Sequence, residues 1–215
     1  MDIYYFYLIL LIGMFLLVSY AINCSIKFAP SKIKIVSSAA ILFISFRYIG
    51  LLIFLLTKNI RYLYLLKPII FLNLLCIPVL AMVSIYILSR NDRIKFDYCI
   101  AGAIVLLFSY IMAIIKFPVI IEVYKTHGYI IYFSNNNLIY GIYLMINTVL
   151  FFGAVAFLEN KNSNKIGMWL ILISAFITVL ELILNAFGIK IIPTVLFGDI
   201  LWIITAIYAL NRLRK

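Results

Sequence analysis

The chain has 215 residues, 67% of them hydrophobic and 12% charged, with a formal net charge of +11. An ordinary soluble domain is about 45–50% apolar, so a surface this rich in apolar residues must face lipid. The basic balance would suit a nucleic-acid partner, but the cations fall in short loops between apolar runs, which argues against one.

A helix needs about 20 mostly apolar residues to cross roughly 30 Å of hydrocarbon, and only a helix or a closed barrel satisfies its own backbone there. Seven segments meet that length: residues 3–23, 35–57, 69–89, 98–116, 138–158, 166–187 and 191–210. Their continuous apolar character excludes barrel strands, which would alternate over about 10 residues. The expected fold is an all-α integral membrane protein of seven transmembrane helices, one domain over residues 1–215. The first segment opens with Asp2 rather than basic residues and lacks a clear small-residue cleavage site, so it is expected to be retained rather than removed as a signal. Tyr4, Tyr5, Phe6 and Tyr7 at its start, and Trp169 near the start of the sixth, suit membrane–water interfaces.

Placing the N-terminus outside puts Lys27, Lys32, Lys34, Arg90, Arg93, Lys95, Lys161, Lys165, Arg212, Arg214 and Lys215 on the cytoplasmic side. Lys58, Arg61, Lys67, Lys116, Lys125 and Lys190 then lie outside, and Arg47 lies within a span. This bias predicts an external N-terminus and a cytoplasmic C-terminus, in a multi-pass protein of the cell membrane whose first partner is the lipid bilayer. A signalling protein and a second copy of the chain are further candidate partners. Cys24, Cys76 and Cys99 all lie in or beside the spans, so neither a structural disulfide nor, with His127 as the one histidine, a zinc cluster is expected. No cofactor is expected.

The longest connection, FPVIIEVYKTHGYIIYFSNNN between the fourth and fifth spans, opens with Pro118 and holds two β-prone runs around a Gly-containing turn. It predicts a short β-hairpin over the outer mouth. Such a hairpin either plugs the bundle or presents Tyr129, Tyr132 and His127 to an outer ligand.

Three ionisable residues lie deep in the spans. At 1.5 Å per residue, Arg47 stands about 18 Å along the second helix from its cytoplasmic start, Glu181 about 22 Å along the sixth, and Asp199 about 17 Å from the cytoplasmic end of the seventh. Each facing lipid alone would cost about 2.5–3.5 kcal/mol, so the three are expected to face one another as one charged layer. Gly167, Ser174, Thr178, Glu181 and Asn185 repeat at helical spacing and turn one stripe inward; Asn147 with Tyr140 and Tyr143, and Asn73 with Cys76, extend the polar interior. One reading makes the layer a clamp, helped by close approach at Ala40, Gly50 and Gly198. The other makes it a site for a proton, a cation or another ligand, since Arg47 balances one carboxylate and not two.

Enzyme chemistry is not expected, and no catalytic residue is assigned. Phe197-Gly198-Asp199 resembles part of the glycine–aspartate motif of intramembrane aspartyl peptidases, but Leu196 stands where the first glycine would. No Gly-rich phosphate loop is present, and the seventh span has no lysine for a retinal Schiff base.

The run YLYLLKPIIFLNLLCIPVL entering the third span, and HGYIIYFSNNN feeding LIYGIYLMI, combine with seven spans in an N-out arrangement. In these respects the chain resembles the seven-helix N-terminal sensor region of bacterial histidine kinases, over nearly its whole length. The resemblance implies a membrane sensor or regulatory module. That family carries a cytoplasmic output domain after the seventh helix, whereas this sequence runs only to Arg212, Leu213, Arg214 and Lys215. The expectation is therefore a stand-alone module that acts through a partner, with no ligand residues carried over. The alternative is a small transporter or ion or proton pathway built around Arg47, Glu181 and Asp199. Against it stand the lack of an internal repeat and the presence of Pro78 as the one deep helix breaker.

Overall fold

The computed structural model describes residues 3–57, 61–91, 94–124, 128–187 and 195–214. Seven long helices run through them: α1 Ile3–Phe28, α2 Ser31–Leu56, α3 Asn73–Ser89, α4 Phe96–Lys116, α5 Asn136–Leu158, α6 Lys165–Ala186 and α7 Leu196–Asn211. Strands β1 Val119–Tyr124 and β2 Gly128–Phe133 form the hairpin between α4 and α5. By length and composition six helical stretches suffice to cross a membrane, the third of them Tyr62–Ser89, which ends in α3, and α7 is a shorter apolar helix. The protein is a multi-pass, seven-helix membrane bundle with a small hairpin.

Local chemistry explains the boundaries. Pro30 precedes α2 in an extended conformation, and its carbonyl accepts the Lys34 N–H at 2.8 Å. Asn164 caps α6 by accepting the Gly167 N–H at 3.1 Å. Its own N–H donates to Leu88 O at 2.9 Å, which ties the start of α6 to the end of α3. Arg90 ends α3 at φ 46°, a left-handed position usually left to Gly or Asn.

Helix α3 forms the centre of the bundle. Its buried residues run from Asn73 to Ser89 around the whole circumference, and it packs on α2, α4, α5, α6 and α7. Helix α1 closes against α2 and α7, and α6 joins α5 to α7. Helix α4 stands at the edge, with only Phe96 and Cys99 buried among its residues. Lys67 pins its far end: Nζ donates to Ile114 O at 2.5 Å and Phe117 O at 2.7 Å, two carbonyls at the helix C-terminus.

Two expectations require correction. The third span is not continuous over 69–89: a 3₁₀ turn Arg61–Leu66 and a single turn Lys67–Ile70 precede α3, with a break at Phe71 and Leu72. Leu74 N–H donates to Phe71 O at 3.0 Å and Leu75 N–H to Leu72 O at 3.1 Å, so the backbone tightens to a three-residue spacing there. Ile69, Ile70 and Phe71 are weak helix formers, which lowers the cost of the break. The seventh helix begins at Leu196 rather than 191. Residues 191–194 lie outside the described residues.

The hairpin pairs in register from Val119↔Phe133 to Tyr124↔Gly128, and Ser134 N–H donates to Pro118 O at 2.9 Å beyond it. Its inward face carries Ile131 and Phe133, both buried, and the Phe133 ring lies 4.0 Å from that of Phe71, at the break in the third span. The hairpin thus covers the bundle end where that break opens.

Candidate functional site

The site begins with a charge that the fold has to satisfy. Arg47 lies on α2 and is 1% exposed, while Asp199 on the first turn of α7 is fully buried. Arg47 Nη1 donates to Asp199 Oδ2, forming a buried ion pair. Its Nε donates to Ile70 O at 2.9 Å. That carbonyl stands at the break, where the Leu74 N–H has turned to Phe71 O instead. One guanidinium therefore links α2 to α7 and replaces a lost backbone hydrogen bond in the third span. Such compensation is what allows irregular backbone at membrane depth. Taking both charges out of water is costly, and the pair is tolerable only because the attraction acts across a dry interior.

Glu181 does not join Arg47. Its Oε2 accepts the Gly198 N–H at 2.9 Å and its Oε1 the Phe197 N–H at 3.3 Å. The physical reason is the short seventh helix. Starting at Leu196, α7 leaves its first N–H groups unpaired at membrane depth, and a carboxylate from α6 meets them and the positive end of the helix dipole. The expected three-charge contact is thus a pair and a neighbouring cap.

Gly198 makes the arrangement compact. A Cβ there would lie 2.5 Å from Thr178 Oγ1 and 3.1 Å from Thr178 Cα, so α6 and α7 touch backbone to side chain at this point. Thr178, fully buried, donates to Ser174 O at 2.8 Å, and Ser174 Oγ meets Thr205 Oγ1 at 2.8 Å. The inward stripe of α6 is a helix–helix seam, and Thr178 serves that seam rather than the ion pair.

Among the described residues, buried polar side-chain atoms without a hydrogen-bond partner are Asp199 Oδ1, Asn147 Oδ1, Tyr48 OH, Tyr143 OH and Trp202 Nε1. Asn147 on α5 uses its Nδ2 to donate to Tyr143 O at 2.9 Å, leaving its oxygen unused. Tyr48 and Tyr143 both lie within electrostatic reach of Arg47 and Asp199. Buried polar groups are almost always paired, so the unpaired Asp199 Oδ1 within a buried charge pair marks a place suited to binding. Asn73 is buried at the start of α3, just past the break. Tyr48, Trp202 and the Ile70 carbonyl were absent from the sequence-derived set. Tyr48 adjoins Arg47, and Trp202 follows Asp199 by one helical turn, so spacing alone could have suggested both.

The hairpin residues do not form one surface. In the strand register, Tyr129 shares a face with Ile131 and Phe133 and packs toward the core, whereas Tyr132 shares a face with Glu122 and donates its OH to that carboxylate. A spacing of three along a strand sends two side chains to opposite faces. His127 lies outside the described residues. Cys24, Cys76 and Cys99 are free and buried.

No protein-family model matches this chain, and no curated protein matches it.

Proposed function

We propose that this protein is a small membrane transporter or ion pathway that works through the buried site around Arg47 and Asp199. One observation carries the reading: the ion pair sits at a break in the third span, with Arg47 bonded to the freed Ile70 carbonyl and one Asp199 oxygen unpartnered. Intramembrane ionisable residues beside a discontinuous helix are the usual parts of transport sites. The reading assigns no catalytic step to the chain.

The test is gradient-driven flux. Protein reconstituted in sealed lipid vesicles is given, in turn, proton, sodium and potassium gradients, and flux is followed by dyes inside the vesicles. Flux above empty vesicles, lost in Asp199→Asn at unchanged helicity, supports the reading. Equal traces for protein-containing and empty vesicles under all three gradients count against it.

A second reading keeps the sensor module suggested by the resemblance to kinase sensor regions. The contact between Phe133 and Phe71 favours it, because it offers a route from the hairpin to the charged site. In that case the chain acts through a signalling protein, and crosslinking in native membranes would capture one partner repeatedly.

A further inference from the structure

We infer that the buried site takes up one proton, at Asp199 Oδ1, and that this proton is the species the pathway handles. The inference rests on the pathway reading above and names its cargo. It starts from charge. Arg47 contributes one positive charge and Asp199 and Glu181 one negative charge each, so the group carries a formal charge of −1 at a depth where a net charge is expensive. The end of α7 offsets roughly half a charge at Glu181. One added positive charge brings the formal sum to zero.

The donors and acceptors on the page choose between the two carboxylates. Both Glu181 oxygens accept backbone N–H groups, which can only donate, so a proton on Glu181 would lose a bond. Asp199 keeps Oδ2 for Arg47 and has Oδ1 buried and unpartnered. A proton delivered by hydronium forms an O–H bond at Oδ1 and leaves a neutral water behind. Tyr48 and Tyr143, both buried, lie within electrostatic reach of Asp199 and give the proton polar surroundings.

The same inventory disfavours a metal cation. Hard cations take about six or more oxygens. Among the described residues Asp199 is the one carboxylate paired with Arg47, and Arg47 already occupies one of its oxygens, which leaves a single free carboxylate oxygen for a metal. The titratable and charged groups that face the pair from the elements packed around it include Tyr7 on α1, Arg47 and Tyr48 on α2, Cys76 on α3, Tyr140 and Tyr143 on α5 and Glu181 on α6. Only Asp199 combines a carboxyl group with an unpartnered oxygen.

The experiment is infrared spectroscopy of the protein in lipid vesicles, following the C=O stretch of protonated carboxyl groups as pH falls from neutral to acid. The expected result is a titrating band that disappears in Asp199→Asn and persists in Glu181→Gln. Asp199→Glu guards against a variant that misfolds, since it keeps a carboxyl group and should shift the band rather than remove it. A titrating band that survives Asp199→Asn, one that is lost in Glu181→Gln instead, or the absence of any band beyond those of the exposed acids overturns the inference. So does a midpoint that moves with sodium or potassium concentration. Flux read in the same vesicles separates the two claims. Titration of Asp199 without flux sustains the proton site and counts against the pathway, while flux without titration of Asp199 sustains the pathway and overturns the proton site.

Discussion

Replacing Arg47 by Leu removes two bonds at once, the ion pair to Asp199 and the 2.9 Å hydrogen bond to Ile70 O. Stranding one member of a buried ion pair costs about 3–5 kcal/mol. Leaving the Ile70 carbonyl without a donor adds about 1–3 kcal/mol. Arg47→Leu should therefore lose at least about 3 kcal/mol even if Asp199 escapes part of its cost by taking up a proton. The double variant Arg47→Leu, Asp199→Asn removes the stranded charge and leaves only the carbonyl, so it should recover about 2–4 kcal/mol of that loss, read as the difference in stability between the double variant and Arg47→Leu. Adding Glu181→Gln should give no further gain, because its carboxylate serves the α7 N–H groups and not Arg47. Unfolding in detergent, followed by circular dichroism against added sodium dodecyl sulfate, measures all four proteins. A double variant no more stable than Arg47→Leu would refute the reasoning, and so would a further rescue on adding Glu181→Gln.

Gly198→Ala should cost about 1–3 kcal/mol in the same assay, because the new Cβ meets Thr178 Cα at 3.1 Å and the helices must part. Gly141→Ala, with nothing within 4 Å of its added Cβ, is the matched control and should be neutral or slightly stabilising. Phe133→Ala removes a fully buried ring from the contact with Phe71 and should speed proteolysis within the hairpin, while the helices stay protected. Lys67→Met strips the donors from Ile114 O and Phe117 O and should quicken hydrogen exchange in the turns around residues 112–119, with little change at α3. Reporter fusions after Lys215 should report cytoplasm, and those between β1 and β2 the outside, as the distribution of cations requires.

The spans were legible because the cost of exposing backbone and charge to hydrocarbon leaves few alternatives, and their ends moved by only a few residues in most cases. The meeting of Arg47 and Asp199 was legible for the same reason. Glu181 was misread because its partner depends on where α7 starts; Pro193 and Thr194 just before Leu196 are the sequence signal for that start, and a span counted from residue 191 passes over them. The break at Phe71 was hidden as well, since a tightened backbone there is stable only with the Arg47 Nε in place, a contact 23 residues away in sequence. Tyr129 and Tyr132 were a different case. Strand parity already separated them, and grouping them by nearness in sequence overlooked it.

Helix α7 runs from Leu196 to Asn211, so Asp199 lies about 18 Å from its last residue at 1.5 Å per residue. With Asn211 at the membrane boundary, where Arg212 and Arg214 follow, about 12 Å of a roughly 30 Å hydrocarbon layer separates Asp199 from the hairpin side. A unit charge reaching Asp199 from that side crosses about two-fifths of the transmembrane field. At about 2.3 kcal/mol per charge per 100 mV, that is about 0.9 kcal/mol for each 100 mV, or close to a fivefold change in occupancy. Membrane voltage would then load or empty Asp199 with the pH on both sides unchanged.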